Sequence, residues 1–89
     1  MDIIRSSEFK RQFKKLDRTI RQKFEERLQL LDATRHKPDP LLNDHNLNPP
    51  YQDFRSINIT GDWRLIYKRL GPDTWYLRAI GTHHQLFGK

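Results

Sequence analysis

The sequence has no cysteine and only 4 glycines among its 89 residues. Without cysteine the chain can form neither a disulfide framework nor a thiolate metal site, which excludes the class of small disulfide-stapled domains. Gly61, Gly71, Gly81 and Gly88 are too far apart for a GxGxxG or P-loop phosphate motif, and no Gly-x-Ser-x-Gly occurs. Nucleotide-cofactor and serine-hydrolase chemistry therefore have no support in the sequence.

Long uncharged runs are also missing. The longest covers residues 79–88 and has 10 residues, whereas a membrane-spanning helix needs roughly 18. The first residues lack the apolar segment of a signal peptide, so we expect a cytoplasmic protein with no membrane partner. The length suits one small domain, and we expect a single domain over residues 1–89.

Basic residues exceed acidic ones, with 17 Lys and Arg against 11 Asp and Glu and a formal net charge of +6. Residues 1–37 contain 11 of the basic and 6 of the acidic side chains, so the positive charge is concentrated in this amino-terminal part of the chain. A charge of this sign predicts attraction to polyanions such as RNA, DNA, acidic proteins or anionic lipid.

Two helical patterns occupy the first half of the chain. Ser6 and Ser7 are suited to cap a first helix because a serine hydroxyl can accept from an unpaired helical N–H. A second helix follows a cap at Asp17 or Thr19 and ends before Pro38. The two helices form a hairpin whose apolar stripes need a surface to cover them. The stripes are Phe9, Phe13 and Leu16 in the first helix, and Ile20, Phe24, Leu28 and Leu31 in the second.

Three strands are predicted after an aperiodic loop at residues 41–52: residues 54–60, 63–70 and 75–81, joined by glycine-containing turns. Because side chains alternate across a strand, one face of this antiparallel sheet would take the helices. The other face would be uncovered and basic, either an ordinary solvated surface or a binding surface. We assign Ile57, Ile59, Leu65, Tyr67, Leu77 and Ala79 to the helix face, and Ser56, Asn58, Arg64, Ile66, Lys68, Tyr76, Arg78 and Ile80 to the open face.

Four histidines supply groups that exchange protons near neutral pH. His36 follows the second predicted helix, where a structural role suffices. His45 lies on the proline-bearing loop, and His83 and His84 follow the last strand. Taken alone, each of these is compatible with a solvent-exposed side chain, and Asp62 with an ordinary turn residue. No His and carboxylate spacing fits a zinc site, so we predict neither metal nor cofactor.

Four motifs follow one another in a defined order: Asp44-His45-x-Leu47, Phe54-Arg55, Gly61-Asp62-Trp63-Arg64-Leu65-Ile66-Tyr67-Lys68 and Gly81-Thr82-His83-x-x-Leu86-Phe87. Together they closely resemble the RelE superfamily of toxin–antitoxin toxins, in particular its YafQ-like branch. The motifs cover residues 44–87, and the preceding strand and helix hairpin fit the family order β-α-α-β-β-β. The resemblance implies an α+β, RelE-like fold in which an amino-terminal strand and a two-helix hairpin pack on one face of an antiparallel sheet, with a short carboxy-terminal tail.

The same resemblance implies an endoribonuclease that cuts mRNA in the ribosomal A site by metal-independent attack of the 2′-hydroxyl. An acidic antitoxin would inhibit it, and DNA would be contacted only through that antitoxin. By position, His45 matches the family's base, Asp62 its turn carboxylate and His83 its acid, while Arg64 would stabilise charge on the phosphate. The expected substrate-binding set is Phe87, Arg55, Asn58, Lys68, Arg78 and His84.

Several alternatives stay open at this point. Asn58 stands where the family commonly has a second histidine, and an amide cannot shuttle protons near neutrality. Phe87 either stacks on an mRNA base or anchors the tail in the core. The alternative functions are a ParE-like toxin, which inhibits DNA gyrase by protein contact and needs no shared histidine pocket, and a non-catalytic nucleic-acid-binding module, whose binding would weaken steeply with salt.

Overall fold

In the computed structural model, which describes residues 1–88, the first half of the chain forms one strand and two α-helices, followed by a short 3₁₀ helix at Pro40–Leu42. These are β1 (Asp2–Arg5), α1 (Ser7–Lys14) and α2 (Arg18–Ala33). The Ser6 hydroxyl accepts from the Phe9 amide at 3.0 Å, and the Asp17 carboxylate accepts from the Ile20 amide at 2.9 Å. Both helices therefore begin at predicted caps, and α2 ends ahead of Pro38 as expected.

The second half contributes four strands and a short helix. These are β2 (His45–Asn46), β3 (Arg55–Thr60), β4 (Trp63–Gly71), β5 (Thr74–Thr82) and α3 (His83–Phe87). The three long strands confirm the prediction, whereas β2 and α3 were predicted only as loop and tail. Within residues 1–88, no helix is long and apolar enough to cross a membrane.

The strands form one five-stranded sheet in the order β1-β5-β4-β3-β2. The predicted α+β, RelE-like architecture is confirmed, but the sheet is mixed because β1 runs parallel to β5, with Asp2 opposite Thr74 and Arg5 opposite Leu77. All other neighbours are antiparallel. A parallel neighbour requires a long connection, and the whole segment from α1 to β4 provides it.

A β-bulge at Arg78 changes which side chains of β5 face the helices. Ile66 lies opposite Ala79 and Tyr67 lies opposite Leu77, so Arg78 has no residue opposite it. The alternation is therefore reversed beyond the bulge: Ile80 packs in the core under the helices, and Ala79 packs on the other face. The sequence assignment of these two residues was wrong.

Each face of the sheet has its own hydrophobic core. The larger core lies under α1 and α2 and includes Phe9, Phe24, Leu28, Leu31, Ile57, Leu65, Trp75 and Leu77. On the opposite face, Ile66 and Ala79 pack against Leu86 of α3, with Leu47, Tyr51, Phe54 and Phe87 partly buried around them. The expectation that this second face would be uncovered was wrong, because α3 and the loop before β3 cover part of it.

Candidate active site

A cleft of about 610 Å³ opens on the sheet face opposite α1 and α2. The loop around β2 and the helix α3 contribute lining residues from two sides, and β3 and β4 contribute the others. Its lining includes His45, Ser56, Arg64, His83, Leu86 and Phe87. The structure thus brings together, from separate elements, both histidines, the arginine and the aromatic residue that the motifs single out.

The loop that carries His45 is anchored through its neighbour Asp44. The Asp44 carboxylate accepts from Arg55 Nε at 2.9 Å and from the Tyr67 hydroxyl at 2.8 Å. Burial raises the pKa of the Tyr67 hydroxyl, and the hydrogen bond and charge of Asp44 raise it further. Burial lowers the pKa of Arg55, but Asp44 outweighs this effect and the pKa is raised. Both donors therefore stay protonated around neutral pH.

His45 is exposed at the cleft, and its ring has a defined hydrogen bond. The imidazole Nδ1 lies 2.7 Å from the carbonyl oxygen of Asn43. Because a carbonyl oxygen only accepts, Nδ1 carries the proton and donates it. In the neutral imidazole the lone pair is then on Nε2, which is the arrangement a general base requires.

His83 is the first residue of α3, and three local features hold it there. The Thr82 hydroxyl accepts from the Gln85 amide at 3.2 Å, and Gln85 Oε1 accepts from the Thr82 amide at 2.9 Å, which is a capping box. The His83 amide donates to the Asp62 carbonyl at 2.9 Å. A Cβ on Gly81 would lie 2.9 Å from Gln85 Oε1. The glycine therefore permits the close packing of α3 on the sheet.

Phe87 lies one helical turn after His83, with the two ring centroids 4.8 Å apart. It also contacts Tyr51 edge to face at 5.8 Å, so it lines the cleft and belongs to the rim of the second core. Both roles predicted for Phe87 are compatible with this position.

Arg64 enters the cleft from β4 and is held near the β3–β4 turn. Its Nη1 donates to the carbonyl oxygens of Gly61 at 2.9 Å and Trp63 at 3.0 Å. These two bonds leave Nε and Nη2 for other acceptors, and a guanidinium presents them in a geometry that suits phosphate oxygens.

Six of the predicted site residues do not line the cleft: Asp62, Arg55, Asn58, Lys68, Arg78 and His84. Asp62 is an exposed turn residue that supports His83 through its backbone. Lys68 lies 5.0 Å from the Phe54 ring and 5.9 Å from the Tyr76 ring, and Arg78 forms an ion pair with Glu8. In this structure Lys68 therefore packs against aromatic rings, and Arg78 is paired with a carboxylate of α1.

Sequence reasoning missed Ser56 as a site residue. It lies opposite His45 in the β2–β3 pairing, it lines the cleft, and its buried Oγ has no hydrogen-bond partner among residues 1–88. The alternation of β3 had placed it on the correct face, which was the available signal. Across the same residues, no three His, Asp or Glu side chains are grouped as ligands for a metal ion.

Residues 1–88 match the family described as the bacterial toxin of type II toxin–antitoxin system, YafQ. The chain belongs to the YafQ family. This confirms the resemblance to the YafQ-like branch. Among the curated proteins, none matches the chain.

Solved structures of YafQ agree with this assignment. The crystal structure of YafQ from E. coli is similar with a TM-score of 0.82 and 27% identity, over 98% of each chain. The E. coli DinJ-YafQ toxin-antitoxin complex contains a chain similar with a TM-score of 0.79 and 27% identity, over 98% of this chain and 97% of that one. A YoeB/ParE toxin from Agrobacterium tumefaciens, at 15% identity and a TM-score of 0.69 over 93% and 99% of the two chains, shares the fold alone.

Proposed function

We propose that this YafQ-family chain is a ribosome-dependent mRNA interferase, a cytoplasmic endoribonuclease that cuts mRNA in the ribosomal A site and so inhibits translation. The observation that carries the proposal is the cleft lined by His45, Arg64 and His83. A gyrase inhibitor that acts by protein contact has no need of two imidazoles and a guanidinium around one cleft.

The chemistry needs one base, one acid and one cation. His45 Nε2 takes the proton of the ribose 2′-hydroxyl, and the 2′-oxygen attacks the adjacent phosphorus. The bond from phosphorus to the 5′-oxygen breaks, and His83 gives a proton to that leaving oxygen. Arg64 balances the negative charge that develops on the phosphate. The products are a 2′,3′-cyclic phosphate and a 5′-hydroxyl, and Phe87 stacks on a neighbouring base.

The partners follow from charge and from the family. The exposed basic residues of the first helical hairpin supply phosphate contacts to ribosomal RNA. They include Lys10, Arg11, Lys14, Lys15 and Arg18. An acidic antitoxin binds the positively charged toxin, as the E. coli DinJ-YafQ complex supports, and DNA is reached only through that antitoxin.

Replacing either histidine tests the proposal. We expect His45→Ala and His83→Ala each to lower mRNA cleavage at least about 100-fold, because each removes one proton transfer. Cleavage is measured by primer extension in a translating extract. His36→Ala is the matched control, since His36 is exposed and lies outside the cleft.

Two results would contradict this assignment. Cleavage at the wild-type rate by both cleft variants would show that the active site is not in the cleft. Inhibition of DNA gyrase that survives both substitutions, with no mRNA cleavage by the wild-type protein, would favour the ParE-like function instead.

A further inference from the structure

The carboxylate of Asp44 connects the histidine-bearing loop to the core on the other side of the sheet. Its side chain is only 4% exposed, and each of its oxygens has a donor: Oδ1 accepts from Arg55 Nε and Oδ2 from the Tyr67 hydroxyl. Tyr67 itself is buried in the core under the helices. The direction of the Asp44 side chain is thus set by two groups of the sheet.

The position of Asp44 determines where the next residue points. The Asp44 side chain is held toward Arg55 and Tyr67, whereas the adjacent His45 lines the cleft opposite Ser56. The two neighbouring side chains therefore lie on opposite sides, as they do in a strand. Arg55 also donates to Asn46 Oδ1 at 2.6 Å. Residues on both sides of His45 are therefore held by the same guanidinium.

We propose that Asp44, Arg55 and Tyr67 form a positioning network that holds His45, with its Nδ1 proton on the Asn43 carbonyl, as the proton acceptor of the cleft. The inference rests on the proposed function. None of the three residues lines the cleft, and they act through the backbone of residues 43–46. Arg55, which the motifs suggest as a substrate-binding residue, here belongs to the support of the base.

A second carboxylate in the molecule offers a matched control. Asp32 of α2 accepts from Trp75 Nε1 at 3.0 Å and lies 3.7 Å from Arg35 Nη1. It therefore also connects an aromatic donor of the core with an arginine, but it does not line the cleft. Asp32→Asn removes the same charge from the same kind of cluster. This cluster contacts the Tyr67 ring through Trp75, with 5.6 Å between the ring centroids, but its two hydrogen-bonding partners, Trp75 and Arg35, lie outside residues 43–46.

The experiment compares Asp44→Asn and Tyr67→Phe with Asp32→Asn. Cleavage of ribosome-bound mRNA gives kcat and KM, and the ¹⁵N chemical shifts of the His45 ring give its tautomer. We expect the two network variants to lower kcat about tenfold with little change in KM, and to reduce the fraction of His45 protonated on Nδ1. Asp32→Asn should change neither quantity. Tyr67→Phe keeps the ring in the core, so it tests the hydroxyl in a folded protein.

Unchanged kcat and tautomer in both network variants would overturn the inference, as would an equal loss of kcat in Asp32→Asn. A failure of this inference can be distinguished from a failure of the proposed function. If the wild-type protein cuts no mRNA, the proposed function fails, and the His45 tautomer in the ¹⁵N spectrum still decides whether Asp44 and Tyr67 hold the ring.

Discussion

The two faces of the sheet differ in how much they bury and in what they leave accessible. The face under α1 and α2 buries large side chains such as Phe9, Leu31, Trp75 and Leu77 almost completely. The cleft face buries the smaller apolar set Ile66, Ala79 and Leu86 together with Ser56, and it is partly covered by a loop and the five-residue helix α3. The fold therefore tolerates exposed polar and aromatic groups on the second face, because the first face supplies most of the apolar burial.

A cavity in the larger core should have the greatest effect on stability. Leu77 is 0% exposed, so we expect Leu77→Ala to lower the free energy of unfolding by about 2–5 kcal/mol. That is a large share of the roughly 5–15 kcal/mol available to a domain. Urea unfolding followed by circular dichroism measures the loss. A loss below about 1 kcal/mol would place the main stabilising core elsewhere.

A matched pair of leucines separates stability from cleavage. Leu86 on the cleft face is 8% exposed and Leu16 on the helix face is 9% exposed. We expect Leu86→Ala and Leu16→Ala each to lower the free energy of unfolding by about 2 kcal/mol. Only Leu86→Ala should also lower mRNA cleavage, because His83 and Phe87 are on the same short helix.

The measurements are urea unfolding and primer extension on both variants. Equal losses of cleavage in the two variants would show that activity follows overall stability, and the two faces would then not be separable in function.

Tyr67 connects the two faces through its hydrogen bond to Asp44, and its ionisation makes the stability of the fold sensitive to high pH. Its pKa is raised in the folded protein, whereas an unfolded tyrosine has a pKa of about 10. Its contribution to stability is therefore fully present below about pH 10 and declines above it, by about 1.4 kcal/mol for each pH unit until the folded pKa is reached. We expect Tyr67→Phe to lack this decline.

Urea unfolding at pH 9 and pH 11 tests this linkage. Between these values the wild type should lose about 1 kcal/mol more than Tyr67→Phe. An equal loss in both proteins would assign the pH dependence to other groups.

Local signals explain why much of the fold was predictable. Ser6 and Asp17 cap their helices through hydrogen bonds to residues three positions away, so the information lies within one turn of chain. The α3 helix was missed although Thr82 and Gln85 carry the capping-box spacing. That signal was present in the sequence and would have predicted a helix in place of a tail.

Other features depend on contacts between distant residues. No sequence feature near Arg78 predicts the β-bulge. The bulge places Ala79 on the cleft face and Ile80 on the helix face. The alternation of apolar residues predicts that the Tyr67 ring lies in the core. It does not predict the hydrogen bond from the Tyr67 hydroxyl to Asp44, because the two residues are 23 positions apart. The motifs pointed to His45, Arg64 and His83 through a family resemblance. Ser56 belongs to no such motif: the alternation of β3 gave its face, and only the pairing of β2 with β3 placed it opposite His45.

The parallel pairing of β1 with β5 has a consequence for the order in which the nascent chain matures. β5 lies between β1 and β4 in the sheet, yet it is the last strand to leave the ribosome. The sheet therefore cannot close until Thr74–Thr82 has emerged from the exit tunnel, and α3 emerges later still. The cleft is therefore completed last, because a chain stalled before β5 contains His45 and its supporting residues Arg55 and Tyr67 but lacks His83 and Phe87 of α3.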